Sequence, residues 1–444
     1  MGIENIVFLL VLIAAVFFFA KQIRFIRRNI LLGRDVDISD RKGERFAKMA
    51  RVALGQSKMV KKPISGILHI LVYLGFVIIN IEVLEILIDG VLGTHRIFAG
   101  FMGPFYDALI WSFEWLAILV LISCVIFLIR RNILHIRRFN FREMTTWPKT
   151  DANIILIVEV LLMLAFLSMN AADSILQSRG VAHYQAAGSF PVSAILLAPL
   201  FEGLSIDSLV ALERAAWWFH IVGILAFLNY LPFSKHFHII LAFPNVYYSR
   251  LDPKGKISNM ESVTNEVKLM MDPEADPYAA PAEGEAAEEV SRFGAKDVQD
   301  LNWKHLMDAY SCTECGRCTE QCPASQTGKL LSPRKIMMDT RDRLEEVGKN
   351  IDTHGKEFDD GKSLWSYMLE EEIWACTTCN ACVEACPVSI SPMAIIMEMR
   401  RYLVMEESKA RPELNSMFTN VENNGAPWQF PPADRGKWIE EMGQ

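Results

Sequence analysis

The sequence predicts an all-α protein in two parts, a five-helix transmembrane bundle followed by a helical domain. Apolar residues are concentrated in the first half of the 444-residue chain, where five segments approach the length of a membrane span. The second half has the charge content of a water-soluble domain and carries amphipathic runs at helical spacing, such as 330–347 and 393–405. It has no convincing run of alternating polar and apolar residues, so strands are not expected.

The first apolar segment, 6–20, is predicted to be a retained membrane helix. A cleaved signal would place its basic residues before the apolar stretch, whereas here they follow it. Four more segments come near the ~20 residues that cross the hydrocarbon core: 64–88, 109–129, 154–169 and 215–233. A sixth stretch, 192–200, is too short to span and contains Pro199, so it is expected to be interfacial or re-entrant.

Basic residues are distributed unevenly among the connecting loops. The segment 21–62 has 13 Lys and Arg residues and 130–149 has six, while 91–107 and 172–210 have one arginine each. Because cytoplasmic loops are enriched in Lys and Arg, we predict a multi-pass protein of the cytoplasmic (inner) membrane with its N-terminus outside. The part after the fifth helix would then lie in the cytoplasm, where disulfides are rare.

The predicted domain boundaries follow these changes in composition. Residues 1–250 form the transmembrane domain, and 251–296 form an interfacial segment with an acidic linker rich in Pro, Ala and Glu. Residues 297–410 form the cytoplasmic domain, and 411–444 are expected to be an extended tail. The net charge of −7 averages two unlike halves, and no feature indicates a nucleic-acid partner.

Eight of the nine cysteines form two copies of one pattern, in which three cysteines at successive x2 spacings are followed by a fourth after three residues and then by proline. The copies are Cys312, Cys315, Cys318 and Cys322, and Cys376, Cys379, Cys382 and Cys386. This pattern is typical of proteins that hold two 4Fe-4S clusters, where the fourth cysteine of each run binds the other cluster. Structural zinc, the alternative, usually uses two well-separated Cys-x2-Cys pairs.

The crossed arrangement groups the cysteines in a defined way. Cys386 joins the first three cysteines of the first run, and Cys322 joins the first three of the second run. The 53 residues between the runs exceed what a minimal bacterial ferredoxin has, so a helical ferredoxin-like domain is expected. The ninth cysteine, Cys124, lies in the third span without a partner and is expected to be inert.

Histidines flank the membrane segments where a heme b would need axial ligands. His220 and His238 are 18 residues apart, which is five helical turns, so one continuous helix would place them on one face ~27 Å apart. His69 lies just inside the second span, level with His238, and we predict that these two residues bind heme b. A structural histidine bonded to a neighbouring helix is the alternative for His69. His236 is expected to face the headgroups.

The stretch from His220 to His238, with Pro232-Phe233-Ser234-Lys235 inside it, resembles the last helix of the respiratory nitrate reductase gamma subunit. It is also similar to the cytochrome b subunits of heterodisulfide reductase and of sulfite-reduction membrane complexes. The resemblance implies a five-helix cytochrome b-type bundle that exchanges electrons with a quinone or methanophenazine, with His69 as a heme ligand on the second helix.

The resemblance leaves the partner of His220 open. The nitrate reductase subunit has another histidine ten residues after the position of His69, where this chain has Ile79. His95 or His183, both on the outer side, would substitute as the second ligand. Otherwise the outer heme is absent and His220 serves another purpose, such as contact with a quinone.

The cysteine-rich half resembles the iron–sulfur domain of heterodisulfide reductase-type proteins, in 311–318, 332–334, 375–380 and 423–428. In many relatives, repeats rich in paired cysteines and glycines follow, and this sequence stops at Gln444 without them. The resemblance therefore implies a separate cytoplasmic redox subunit, either a flavoprotein or a cysteine- and glycine-rich heterodisulfide reductase-like subunit.

Four glutamates fall within or at the ends of apolar segments, where an unpaired carboxylate is costly. Glu114 and Glu159 are the candidates for a proton relay to a quinone, because quinone reduction takes up protons together with electrons. Glu82 and Glu85, near the outer end of the second span, are expected to be interfacial.

Together these features predict a membrane-bound electron-transfer subunit that connects a cytoplasmic redox partner with the quinone pool of a respiratory chain. Two 4Fe-4S clusters and one heme b would carry the electrons, with a second heme and the direction of flow left open. The chain would be the quinone-reactive subunit of a multi-subunit oxidoreductase. The alternative is a membrane-tethered ferredoxin anchor with neither heme nor quinone chemistry.

Overall fold

The computed structural model describes residues 2–184, 186–273, 292–429 and 431–443. These residues form helices and no β-strand; a single isolated bridge joins Arg34 and Asn302. The predicted all-α fold class is confirmed. Most of the predicted acidic linker lies outside the described residues.

The membrane half consists of long helices joined by short ones. In chain order they are α1 (Ile3–Ile30), α2 (Lys42–Met49), α3 (Pro63–Leu92), α4 (Ala99–Met102), α5 (Pro104–Asn132), α6 (Trp147–Ser178), α7 (Pro191–Leu196), α8 (Ala198–Phe201), α9 (Ile206–Tyr230), α10 (His238–Tyr247) and α11 (Glu261–Met271). Within the described residues, five helices are long and apolar enough to cross a membrane, as predicted: α1, α3, α5, α6 and α9, the last two with short extensions. The sixth apolar stretch forms the short helices α7 and α8.

Local sequence determines where the spans begin and end. Pro63, Pro104 and Pro148 stand in the first turns of α3, α5 and α6, where the missing N–H of proline removes no hydrogen bond. Gly93 follows the last residue of α3 and adopts φ +77°. This conformation carries a steric penalty for residues other than glycine. α1 and α5 end in paired arginines, whose charge is favourable at a helix C-terminus.

The chain leaves the helical path before His238. α9 ends at Tyr230, two short 3-10 turns follow, and α10 begins at His238. Pro232 cannot donate to the preceding turn, and Ser234 is extended with ψ 152°. The expectation that His220 and His238 lie on one continuous helical face is therefore wrong.

The five spans form one bundle. α6 packs between α5 and α9, α3 lies against α5, and α1 lies against α3 and α9. Large side chains such as Phe8, Phe113 and Phe166 are buried inside. Apolar side chains on the outside, such as Phe17 and Ile67, are exposed, as expected for helices that face lipid.

The second half is also helical. Its helices are α12 (Trp303–Tyr310), α13 (Arg317–Gln321), α14 (Pro323–Gln326), α15 (Pro333–His354), α16 (Glu370–Trp374), α17 (Ala381–Ala385), α18 (Pro392–Arg401), α19 (Pro412–Asn424) and α20 (Lys437–Met442). The expectation of an extended tail over 411–444 is wrong, because α19 and α20 lie there. Pro412 stands in the first turn of α19, where proline starts a helix, and the later prolines separate the two helices.

The helices from α12 to α18 are docked on one end of the bundle. This docked end is formed by the last turns of α1, α5 and α9 and the first turns of α3 and α6. A single buried apolar cluster there includes Ile26 and Leu241 from the membrane half and Leu306 and Ile336 from the second half. The domain of α12 to α18 is therefore packed against the bundle, although an acidic linker separates the two parts in the sequence.

Polar contacts at the docked end fix the arrangement. The Arg28 guanidinium donates to both oxygens of Asp352 at 2.7 and 3.0 Å. The buried Asn29 carboxamide donates to the Tyr310 hydroxyl at 3.1 Å. Lys58, in the loop before α3, donates to the carbonyl oxygen of Cys386 at 3.1 Å.

A glycine in α15 permits the close approach of α1. A Cβ added at Gly348 would clash with the Asn29 carboxamide, although alanine normally stabilises a helix relative to glycine by about 1 kcal/mol. We expect Gly348→Ala to loosen docking and to increase cleavage of the second half in limited proteolysis. In an Asn29→Ala background the same substitution should have no such effect. Equal loosening in both backgrounds would contradict this contact.

Candidate functional site

The two cysteine runs have the same backbone conformation. Glu314 and Gly316 in the first run have φ +47° and +71°, and the corresponding Thr378 and Asn380 have φ +56° and +60°. A five-residue helix then follows in each run, and the fourth cysteine is extended. Left-handed conformations cost non-glycine residues ~1–2 kcal/mol each, so their recurrence indicates a functional loop.

Two small cavities lie between the runs. The first is lined by Cys312, Cys315, Cys318 and, from the other run, Cys386. The second is lined by Cys376, Cys379, Cys382 and, from the other run, Cys322. Cys382 also borders the first cavity. The two sets of four are the groups that crossed ligation of two clusters would use.

The cysteine thiols of both cavities are protonated in the absence of metal. In the part of the chain that the structure describes, no three His, Cys, Asp or Glu side chains are grouped as ligands of one metal ion. Burial raises the pKa of the Cys312 thiol to about 12 and that of Cys386 to about 11. Binding of iron would therefore have to displace protons from both thiols.

A larger cavity, of about 440 Å³, lies inside the bundle next to the docked end. His69 of α3 and His238 of α10 both line it, with ring centres 6.4 Å apart and an interplanar angle of 40°. With metal–nitrogen bonds of about 2.0 Å, two imidazoles on opposite sides of one iron have ring centres about 6.3 Å apart. The separation of the two rings therefore fits a heme iron between them.

The hydrogen bonds of these histidines agree with that fit. His238 Nδ1 lies 2.9 Å from the Lys235 carbonyl oxygen. This contact leaves Nε2 free for a metal. His69 Nδ1 is buried and has no partner among the described residues. His236, which was expected to face the headgroups, lines the same cavity, with its ring centre 5.6 Å from that of His238.

The first cysteine loop forms part of the wall of this histidine cavity. Thr313, Cys315 and Arg317 line it together with His69 and His238. The candidate cluster site and the candidate heme site therefore share a wall without an intervening layer of the bundle.

The deep end of the histidine cavity contains His220 and Glu159. His220 Nδ1 lies 3.0 Å from the carbonyl oxygen of Leu162. The cavity is also bordered by Phe76 and Val77 of α3, whose side chains are exposed on the outside of the bundle. The cavity is therefore bordered by a part of α3 that is exposed on the outside of the bundle.

Glu114, the other predicted relay residue, is occupied by structural contacts. Its carboxylate accepts from the backbone N–H groups of Val192 and Ser193 at 2.8 and 2.9 Å, from the Ser193 hydroxyl, and from Asn170 at 3.1 Å. It holds the N-terminus of α7 in place and lines neither the histidine cavity nor the cavity at the opposite end.

The bundle end opposite the docked end contains a polar cavity of about 220 Å³, the far cavity. Glu82 and Glu85 line it and are only 2% and 3% exposed, so the expectation that they are interfacial is wrong. The cause is Arg96, which is buried beside them and donates to Asp173 at 2.7 Å and to the Tyr106 hydroxyl at 3.1 Å. Tyr106 in turn donates to Glu85 at 2.8 Å.

His95 and His183 also line the far cavity, with ring centres 5.5 Å apart. His95 Nε2 lies 3.4 Å from Asp173. Among the described residues, His95 Nδ1 and one oxygen of Glu82 are buried without a partner. His220 lies in the histidine cavity, so the structure brings neither His95 nor His183 to it as a second heme ligand.

A family model described as a 4Fe-4S dicluster domain matches residues 311–390. This part of the chain is a 4Fe-4S dicluster domain. The match covers both cysteine runs and the helices between them, and it does not extend into the membrane bundle. Iron–sulfur clusters are therefore assigned to the dicluster domain.

Three curated relatives show how far the similarity extends. A probable iron-sulfur-binding oxidoreductase, FadF, of Bacillus subtilis is 29% identical over 98% of this chain and 61% of its own length. The EtfAB:quinone oxidoreductase of Syntrophomonas wolfei is 27% identical over 93% of this chain and 56% of its own length. A probable membrane-anchored ferredoxin of Chromohalobacter salexigens is 30% identical over 34% of this chain and 24% of its own length.

The chain thus spans less than two thirds of the relatives that it matches along most of its length. Heterodisulfide reductase subunits of Methanosarcina mazei match about a quarter to a third of the chain, at 32% and 26% identity, which confirms the predicted similarity to such subunits. No solved structure matches the chain.

Sequence reasoning missed the basic residues that line the mouth of the histidine cavity at the docked end: Arg130, Arg131, Arg138, Lys235 and Arg317. Arg130, Arg131 and Arg138 were counted only as evidence of orientation, and Lys235 and Arg317 only as parts of the stretches that resemble known families. Their clustering depends on the turn after α5 folding back toward the first cysteine loop, and nothing in their spacing indicates that.

Proposed function

We propose that this protein is a membrane-bound electron-transfer subunit. It would connect a redox partner at the docked end of the bundle with the membrane quinone pool. Two 4Fe-4S clusters in the dicluster domain and one heme b in the bundle would carry the electrons. The observation that supports this most is the shared wall between the first cysteine loop and the cavity of His69 and His238.

The residues of the bundle would hold the heme and set its surroundings. His69 and His238 would hold its iron, and the Lys235 carbonyl would orient the His238 ring through Nδ1. When bound, the heme supplies one-electron chemistry at a potential that the protein tunes through ligands and nearby charge. The wall of Thr313, Cys315 and Arg317 would keep the donor cluster close.

The quinone would bind at the deep end of the histidine cavity. A quinone has an apolar tail, and the border at Phe76 and Val77 offers it an entrance from lipid. His220 and Glu159 would contact its headgroup, and Glu159 would exchange protons with it. The far cavity adjoins this region along α3, since Ile79 and Val83 line one cavity and Glu82 lines the other.

The basic loops at the docked end support a cytoplasmic location for the dicluster domain. The similarity to an EtfAB:quinone oxidoreductase supports a flavoprotein of the EtfAB type as partner and a quinone as acceptor. In that arrangement the flavoprotein would be the electron donor, and the dicluster domain would accept its electrons on the way to the bundle. The second partner predicted from sequence, a heterodisulfide reductase-like subunit, would draw electrons in the opposite direction.

A ferredoxin anchor is the second candidate function, because one relative is described as a membrane-anchored ferredoxin. In that case the bundle would only hold the dicluster domain at the membrane, and the cavity of His69 and His238 would take no heme. The heme content of the purified protein separates the two functions.

Electron transfer can be followed in the full chain purified into lipid nanodiscs. After photochemical reduction of the clusters, we expect the absorbance band of reduced heme b to appear. The band should then disappear when a short-chain quinone is added and the heme is reoxidised. Glu159→Gln should slow this reoxidation at least tenfold, because general acid–base groups contribute about 10²-fold or more. Glu202→Gln, an exposed carboxylate elsewhere, is the control.

Reduced clusters with no heme band would favour the anchor function. Fast reoxidation in Glu159→Gln would show that Glu159 is not part of the proton path.

A further inference from the structure

A buried arginine with two unpartnered nitrogens lies between the dicluster domain and the histidine cavity. Arg138 stands in a 3-10 turn between α5 and α6 and is 7% exposed. Its Nε and Nη1 atoms are buried and have no hydrogen-bond partner among the described residues. A guanidinium stays charged in proteins, and a buried charge is costly unless it is paired. These two nitrogens therefore lack a hydrogen-bonded anion within the described part of the chain.

The surroundings of Arg138 increase that need. Arg131 and Arg138 both lie over the ring of Phe139, with guanidinium carbons 4.4 and 4.7 Å from its centre. Two cations on one ring repel each other unless an anion joins them. The described lining of the histidine cavity has one carboxylate, Glu159, which lies twelve residues into α6, away from the mouth.

The turn that contains Arg138 packs closely against the dicluster domain. Gly316 has φ +71°, and a Cβ at this residue would lie 2.8 Å from the Arg138 carbonyl oxygen. Cys315, the neighbour of Gly316, lines the histidine cavity together with Arg138. The unpaired guanidinium therefore belongs to the wall that the two candidate redox sites share.

We infer that Arg138 is an anion-binding residue that holds a propionate carboxylate of the heme, with Arg131 as the second cation of the same site. The inference rests on the proposed heme between His69 and His238. A guanidinium fork and a carboxylate form paired, charge-assisted hydrogen bonds. Binding of the carboxylate would supply the missing partners of Nε and Nη1 and would direct the propionate edge of the heme toward Cys315.

The charge of Arg138 would also affect the heme electronically. A cation next to the heme favours the reduced form, which carries one more electron. Removal of this cation should therefore lower the midpoint potential of the heme, while the potentials of the clusters change less. This readout separates a propionate contact from a purely structural role, which would affect folding and not the heme potential.

The test uses the full-length chain expressed without heme and titrated with added heme. Arg138→Gln should bind heme at least tenfold more weakly, since removing one member of a buried charge pair is costly, and should lower the heme midpoint potential. Arg138→Lys should restore part of the affinity, because lysine keeps the charge and loses the fork. Arg137→Gln, an exposed arginine of the same turn, should behave as wild type.

Heme dimethyl ester gives a second comparison, because its propionates carry no charge. Wild type should bind the ester more weakly than heme, and Arg138→Gln should bind the two almost equally. The inference would be overturned if Arg138→Gln had normal heme affinity and potential, or if this variant lost a bound phospholipid and kept its heme affinity. Either result would leave the heme site intact. A wild-type protein that binds no heme would overturn the proposed function as well.

Discussion

Replacing His238 with alanine is expected to abolish the heme b absorbance of the purified protein. His238 and His69 have ring centres 6.4 Å apart across the histidine cavity, and removal of either imidazole would take away one of the two residues proposed to hold the heme. The reduced-minus-oxidised spectrum in the visible region measures this directly. Iron–sulfur absorbance should persist in the variant, because the cysteine runs lie in the dicluster domain.

Neighbouring histidines provide matched controls for that experiment. His69→Ala should give the same loss as His238→Ala. His236→Ala should keep the heme, since Nε2 of His238 remains available, and the exposed His135→Ala should be unaffected. An unchanged spectrum in His238→Ala would refute the ligand assignment, and loss in His236→Ala alone would transfer the role to His236.

Cys386→Ser is expected to disturb the cluster that is held mainly by the first run. Cys386 shares its small cavity with Cys312, Cys315 and Cys318, and a serine oxygen is a poorer ligand for iron than a thiolate. Electron paramagnetic resonance of the reduced protein should show this one cluster altered or lost and the other retained. Cys322→Ser should give the reverse result, because it lines the other cavity.

Cys124→Ser is the control for these two variants, because Cys124 is buried within the bundle and lies outside both runs. If Cys386→Ser instead removed the signal of the cluster held by Cys376, Cys379 and Cys382, each run would supply all four ligands of its own cluster. The crossed arrangement would then be wrong.

The sequence was sufficient for features that depend on composition and short spacing. Five apolar segments near ~20 residues predict five spans because hydrocarbon thickness leaves little choice. The cysteine runs predict iron–sulfur clusters because the spacing places three thiolates in one tight loop. Both predictions need no knowledge of how distant parts of the chain meet.

Features that depend on tertiary contacts were not predicted. Burial of Glu82 and Glu85 requires Arg96 to fold inward from its loop, which no periodicity indicates. The end of α9 at Tyr230 depends on Pro232, yet the helical spacing of His220 and His238 suggested a continuous helix. The docking of the second half and the unpaired Arg138 likewise arise from surfaces that only the folded chain brings together.

The far cavity has an energetic consequence for the proposed function. It lies at the end of the bundle opposite the dicluster domain and holds protonatable groups such as His95 and Glu82. If protons reach the quinone from there while electrons arrive from the other side, the two currents add electrically. The membrane voltage then becomes a driving force for the reaction, worth about 2.3 kcal/mol per elementary charge and 100 mV. An uncoupler would slow quinone reduction in intact vesicles.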